Sequence, residues 1–229
     1  MVRALVVADE VVEQLYDVSV QRYRPDLVLA AGDLPWAYLE FLSSALDVPV
    51  VFVPGNHDAA IPTVRRGLGG GLFEAGLPVD APRPHGCLNA DERVVEVAGL
   101  RIAGLGGCVR YNDGPHQYTQ KQYHRRARRL ARRADRAGGP IDVLLTHAPP
   151  LGLGDEPDPC HVGVEALHGT LDRLEPTWHL HGHIHPYGHP RPDRTVGRTT
   201  IRNVVPWTML DVAPRDAHTE MLHALRRVG

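Results

Sequence analysis

The chain has 229 residues, of which 43% are hydrophobic, 23% charged and 6% aromatic, a balance near the globular average and unlike that of disordered or fibrous chains. Its formal net charge of −2 supplies no global attraction to nucleic acid or to an anionic membrane, so any polyanion contact has to be local. Charge, Pro or Gly breaks every apolar run well short of the roughly 20 residues that cross a bilayer, and Cys87, Cys108 and Cys160 form no CxxC pair, which excludes a disulfide framework and a thiolate zinc site as first expectations.

The first apolar run, Val2 to Ala8, is too short for a signal-peptide core with its cleavage region and runs directly into Asp9 and Glu10. It reads as a buried strand over Leu5 to Ala8. Val11 to Tyr23 reads as a helix, Leu27 to Ala31 as a strand, Trp36 to Leu46 as a helix and Val50 to Val53 as a strand, which is the alternation of βαβ units with a parallel sheet. Gly67 to Gly71 and Pro78 to Gly86 are Gly- and Pro-rich and read as irregular connections. Arg93 to Val97 and Leu100 to Ala103, joined through Ala98 and Gly99, read as a hairpin. Lys121 to Arg136 has helical spacing, with Arg125, Arg126, Arg128, Arg129, Arg132, Arg133 and Arg136 around Leu130 and alanines. Val143 to Thr146 is another buried strand, Leu151 to Pro159 and Tyr187 to Gly197 read as loops, and an apolar pair closes the pattern at Thr200 to Val205 and Thr208 to Val212, broken by Pro206. Strands outnumber what one parallel sheet needs, so the expectation is a single α/β domain over residues 1–229 with two packed sheets flanked by helices. Solubility and scattered thiols place it in the cytoplasm as an expectation, and no pattern marks an oligomer surface.

The chain carries 14 histidines, and their placement is more informative than their number. Polar residues follow the predicted strands one after another: Asp9, then Gly32-Asp33, then Gly55-Asn56-His57-Asp58, then His147, then His181-Gly182-His183. In open α/β sheets the crevice beyond the carboxyl ends of the strands gathers such residues into one place. In an extended segment residues i and i+2 share a face, so His181 and His183 are expected to point together. Carboxylate, amide oxygen and imidazole without thiolate suit Mn²⁺ or Fe first, with Zn²⁺ and Ni²⁺ also matched, and two such ions sharing a carboxylate are a common device for in-line displacement at phosphorus. Asp33 is the natural bridging carboxylate.

Four segments, GDL at Gly32 to Leu34, GNHD at Gly55 to Asp58, THAPP at Thr146 to Pro150 and HGHIH at His181 to His185, resemble in order the motifs of calcineurin-like metallophosphoesterases. The resemblance spans most of the chain. It implies a four-layer αββα sandwich of two mixed β-sheets flanked by helices, and hydrolysis of a phosphodiester or phosphomonoester by metal-activated water. By motif it implies Asp9, Asp33 and His183 at one divalent metal ion, and Asp33, Asn56, His147 and His181 at a second. His57 is implied as the group facing the substrate phosphate or leaving oxygen, with Asp58 orienting it. One departure stands out. The family's first motif is usually Asp-x-His, and Asp9-Glu10-Val11 puts an apolar residue in the place of the histidine, so the first site is one ligand short unless water, Glu10 or Glu13 fills it.

Beyond the motifs, Arg110 and Tyr111 in a polar loop, together with Asn56 and His161, are candidate substrate contacts, and His185 and His189 are candidate supporting groups. The substrate class indicated is a small phosphate ester, with a small phosphodiester or nucleotide favoured. Two other readings accompany it: a nuclease that uses the arginine-rich helix to hold phosphates without reading sequence, and a non-catalytic protein-binding scaffold with an eroded metal site, which Val11 keeps open.

Overall fold

A computed structural model of the chain describes residues 1–60, 72–74, 77–79, 84–189 and 191–215. The strands, in chain order, are β1 (Val2–Val7), β2 (Leu27–Ala30), β3 (Val50–Phe52), β4 (Leu72–Glu74), β5 (Leu77–Val79), β6 (Cys87–Asn89), β7 (Val94–Val97) and β8 (Leu100–Leu105). They continue with β9 (Cys108–Val109), β10 (Gln117–Tyr118), β11 (Val143–Thr146), β12 (Trp178–His181), β13 (Arg194–Val196), β14 (Thr199–Asn203) and β15 (Trp207–Val212). The α-helices are α1 (Trp36–Leu46), α2 (Gln120–Ala137) and α3 (Ala166–Leu174).

Two sheets carry the fold, one in the order β15-β1-β2-β3-β6 and one in the order β13-β14-β12-β11-β8-β7. Each is parallel inside and antiparallel at an edge: β15 runs against β1, with Val2 opposite Val212, and β13 and β7 run against β14 and β8. The period-2 alternation of the strands decides the layering. Ala4 and Val6 of β1, Leu27 and Leu29 of β2, Leu100 and Ile102 of β8, and Val143 and Leu145 of β11 meet in one buried cluster between the sheets. Their neighbours Leu5, Val7, Val28 and Phe52 face the other way, onto Tyr38, Leu39 and Leu42 of α1. On the far side Ala103, Leu105 and Leu144 meet Tyr123, Leu130 and Ala134 of α2 and Leu167 and Leu171 of α3. The result is the expected helix–sheet–sheet–helix sandwich.

Several sequence expectations change. Val11 to Tyr23 is not one helix but two short 3₁₀ turns, Glu13–Leu15 and Val18–Tyr23. The Asp17 carboxylate accepts the Ser19 N–H at 2.8 Å, a local side-chain bond that restarts the chain in mid-segment and competes with a continuous helix. Arg194–Val196 within the expected loop Tyr187 to Gly197 is a strand, because Gly197 at φ 57° lets it fold back onto β14. The late apolar pair is split between the sheets, β14 in the second and β15 in the first. Gly67 to Gly71 lies outside the described residues, and of Pro78 to Gly86 the part at 78–79 belongs to strand β5.

The arginine-rich helix is only partly a solvated face. Thr119 and Gln122 cap it with a reciprocal capping box. Arg126 is buried, and its guanidinium donates to both oxygens of Asp91 at 2.7 Å, to Glu92 Oε1 at 2.8 Å and to the Gly106 carbonyl at 2.9 Å. It also lies 3.7 Å from the centroid of the Tyr118 ring. Arg129 and Arg133 reach Glu92 as well. Removing Arg126 takes the guanidinium from the Asp91 carboxylate, and breaking a buried ion pair in this way costs about 3–5 kcal/mol. Arg126→Met is therefore expected to lower the unfolding free energy by about that amount in urea denaturation, whereas Arg128→Met on the exposed face should stay within roughly 0.5 kcal/mol of the parent.

Candidate metal centre

Asp9 follows β1, Asp33 follows β2, Asn56 and His57 follow β3, His147 follows β11, and His183 and His185 follow β12. The parallel strands of both sheets thus end at one place. Asp9, Asp33 and His183 have positive φ of 63°, 57° and 70°, a left-handed conformation that costs a non-glycine residue of order 1–3 kcal/mol and is retained where the surroundings fix it. The fixing contacts are visible. A Cβ on Gly32 would stand 2.6 Å from Gly55 N and 2.7 Å from His147 Nδ1, while one on Gly55 would overlap the Asp33 carboxylate and one on Gly182 the Asp9 carboxylate. Glycine in GDL, GNHD and HGH is thus demanded by the close approach of a carboxylate or imidazole side chain from another strand.

His147 sits at the middle of the cluster and is fully buried. Its Nδ1 lies 2.7 Å from the Ala31 carbonyl, which can only accept, so Nδ1 carries the proton. Nε2 then faces Asn56 Oδ1 at 3.0 Å and Asp33 Oδ2 at 3.2 Å. The Asn56 amide is oriented by its other end, where Nδ2 donates to the Tyr111 hydroxyl at 3.1 Å. Three electron-rich atoms therefore converge where a neutral imidazole has no proton to offer. Either a second proton or a cation has to lie between them. In the metal-free protein burial pulls the His147 imidazole down, but the Asp33 carboxylate outweighs it and lifts the group to about 9. Burial raises Asp33 in turn, and the His147 charge more than reverses this, to about 2. This donor set fits a divalent cation, which would take the place of that proton.

Asp33, His147 and His183 offer ligand atoms within 4.8 Å of one another. The His183 Nε2 donates to the Cys160 carbonyl at 2.8 Å, which turns Nδ1 to the cluster, and burial keeps the ring neutral with its pKa near 3. Asp9 accepts the His183 backbone N–H with both oxygens, at 3.1 and 2.9 Å; burial raises its carboxyl to about 6.

His181 is not brought into the cluster. Leu180 points between the sheets, so the pleat turns His179 and His181 to the outer face, where their rings lie 5.8 Å apart and His181 Nδ1 is on the Gly182 carbonyl at 3.0 Å. The i, i+2 pair that faces the crevice is instead His183 and His185. His185 Nε2 lies 4.0 Å from Asp9 Oδ1, and its Nδ1 is held by Glu10 Oε1 at 3.0 Å. Glu10 thus supports an imidazole and does not replace one, and Glu13 lies in the first 3₁₀ turn, exposed. The signal for His185 was available: once His181 is counted as the last residue of the strand, its side chain belongs to the helix-facing layer.

Asp58 Oδ2 accepts the backbone N–H groups of Gly55 at 2.7 Å and Asp33 at 3.1 Å, so Asp58 ties the two motif loops together through their backbones rather than through the His57 ring. His57 is exposed, with its N–H donated to Asp33 Oδ1 at 2.7 Å. Its ring lines a cavity of about 500 Å³ with Asp33, Leu34, Pro35, Trp36, Asp58 and Ala59. Arg110 is exposed beside the site, and its guanidinium donates to the Gln117 carbonyl at 3.5 Å. His161 packs its ring 5.4 Å from that of His183 and pairs with Asp158 at 2.8 Å.

The family model of the calcineurin-like phosphoesterases matches residues 7–187, the stretch that delivers Asp9 through His185. The chain belongs to this family. Among the proteins it resembles, UPF0046 protein K07C11.7 of Caenorhabditis elegans is 36% identical over an alignment of 184 residues that covers 76% of this chain and 60% of that protein. UPF0046 protein C25E10.12 of the same organism is 33% identical over 105 residues, 43% of this chain and 35% of that protein. The chain thus spans less than two thirds of the length of these relatives. The crystal structure of TT1561 of Thermus thermophilus superposes with a TM-score of 0.58 at 18% identity, covering 94% of this chain and 90% of that one. A further solved structure gives a TM-score of 0.61 at 15% identity, with 94% and 98% covered. At that identity the likeness is one of fold.

Because His147 holds its extra proton up to about pH 9 while a metal ligand must be deprotonated, cation binding at pH 7.5 is expected to release about one proton per His147 site. Calorimetric titration with Mn²⁺ in two buffers of different ionisation enthalpy measures that number. The apparent affinity should rise about tenfold per pH unit below pH 9 and level off above it.

Proposed function

We propose that the chain, as one metallophosphoesterase domain over residues 1–229, hydrolyses a phosphate ester with the help of two divalent cations, and that the substrate is small, a phosphodiester or nucleotide in preference to a polymer. The observation that carries this is His147 Nε2 facing Asp33 Oδ2 and Asn56 Oδ1, an arrangement that needs either a second proton on the imidazole or a cation between them. One cation falls to Asp33, Asn56, His147 and His183, the other to Asp9, Asp33 and His185, with Asp33 shared. Mn²⁺ or Fe is favoured for this oxygen and nitrogen set, and Zn²⁺ or Ni²⁺ also suits it. When bound, such ions activate water and offset charge on the phosphoryl group.

The chain's own groups do the rest. His57, exposed at the rim and anchored through its backbone to Asp33, is placed to hand a proton to the departing ester oxygen. Asp58 keeps the Asp33 and Asn56 loops in register. Tyr111 fixes the orientation of the Asn56 amide and, with Arg110 and His161, borders the space for the phosphate. The nuclease reading loses part of its basis, because Arg126, Arg129 and Arg133 are engaged with Asp91 and Glu92. The scaffold reading rested on Val11, and His185 supports the catalytic reading by offering an imidazole beside Asp9.

Two measurements test the assignment. Protein supplied with Mn²⁺ is expected to hydrolyse bis-p-nitrophenyl phosphate or p-nitrophenyl phosphate, and His57→Ala should cut kcat by about 10²–10⁴ with metal content unchanged; loss of metal in that variant would reassign His57 as a ligand. In elemental analysis, His185→Ala should retain about one ion where the parent holds about two, and His181→Ala should retain both. The opposite pattern would restore His181 as the ligand.

A further inference from the structure

The cavity beside His57 has a character that phosphate recognition does not call for. Among the described residues its lining consists of apolar Leu34, Pro35, Trp36 and Ala59 together with Asp33, His57 and Asp58. Of the polar groups only the His57 ring can donate to a phosphate oxygen, because the two carboxylates repel it. The apolar walls gain only when apolar surface is brought against them. Their position relative to the site is fixed by the chain itself, since Leu34-Pro35-Trp36 follows Asp33 directly and Ala59 follows Asp58. Two further contacts hold the walls still. Leu34 is buried in the layer beneath α1, and the His116 ring bonds the Ala59 carbonyl at 2.9 Å. Trp36, the first residue of α1, is half-buried and open to the cavity. An indole at the edge of a rigid helix is a flat surface held ready, and rings stack or meet edge-to-face on it at little entropic cost.

We propose that this cavity is the leaving-group subsite of the ester, and that it selects a flat aromatic or heteroaromatic group set against Trp36. The inference rests on the phosphoesterase reading and narrows its substrate class. Hydrolysis of such an ester consumes one water. The water oxygen bonds to phosphorus, the P–O bond to the ring-bearing group breaks, and the departing oxygen takes up a proton, which leaves a phosphate product and a free alcohol or phenol. His57 lines the cavity together with Asp33, to which its backbone N–H is bonded, and so stands where that oxygen would emerge.

Non-cleavable phosphonates separate head from ring. The full chain with Mn²⁺ is titrated in a calorimeter with methylphosphonate, benzylphosphonate and cyclohexylmethylphosphonate, which share a dianionic head. Benzylphosphonate is expected to bind about tenfold tighter than methylphosphonate, to outbind the cyclohexyl analogue, and to quench tryptophan fluorescence. Trp36→Ala should reduce the benzyl-to-methyl preference to near unity, and Trp36→Phe should keep most of it; the half-exposed position makes loss of the fold in these variants unexpected. Equal binding of benzyl- and methylphosphonate, or a preference that survives Trp36→Ala, overturns the subsite. A cyclohexyl analogue that binds as tightly as the benzyl one overturns its aromatic selectivity. Failure of all three phosphonates to bind would instead remove the phosphoesterase reading on which the subsite rests.

Discussion

An imidazole enclosed by lone pairs is the constraint on which the rest of this molecule turns. His147 gives its only neutral-form proton to a backbone carbonyl and presents its other nitrogen to an amide oxygen and a carboxylate. Such an arrangement is repulsive unless something positive lies within it. To build it, the chain has to bring Asp33 and Asn56 from one sheet against His147 and His183 from the other. That requires two sheets stacked face to face with their carboxyl ends aligned, which in turn fixes the apolar alternation of the strands. The left-handed residues Asp9, Asp33 and His183 are the local cost of turning each strand end inward.

Much of this was legible in the residues. The strands with continuous apolar runs appear where they were read, as does helix Trp36–Leu46, because burial on both faces leaves an unambiguous pattern. Asp9, Asp33, Asn56 and His147 follow from strand ends alone. His185 did not, because the position of a strand's last residue decides which alternate side chains face the crevice, and a boundary error of two residues exchanges His181 for His185. Residues 11 to 23 misled for a different reason. Their apolar spacing is helical, but Asp17 has a nearer partner in Ser19. The cavity wall at Trp36 carried no motif and became visible only when the helix was placed next to Asp33.

The arginine-rich segment shows how composition conceals two roles in one element. Its outer arginines meet solvent, while Arg126 and Tyr123 both donate to the carbonyl of Gly106. The adjacent Gly107 donates to the Pro54 carbonyl at 2.7 Å, one residue before the GNHD segment. Helix α2 is thus mechanically continuous with the loop that presents Asn56, although it contributes no side chain to the centre. A basic helix of this kind acts as a brace before it acts as a surface.

The pairing of β1 with β15 has a consequence of another kind. Val2 lies opposite Val212, so β1 gains its outer neighbour only after every other described strand has been synthesised. Until then one edge of β1 has unmatched backbone donors and acceptors, which invites strand pairing with other chains. Closing so distant a contact is also entropically slow. The first sheet is therefore begun at β1 and sealed only at β15, and a nascent chain stays exposed to intermolecular association throughout the interval between them.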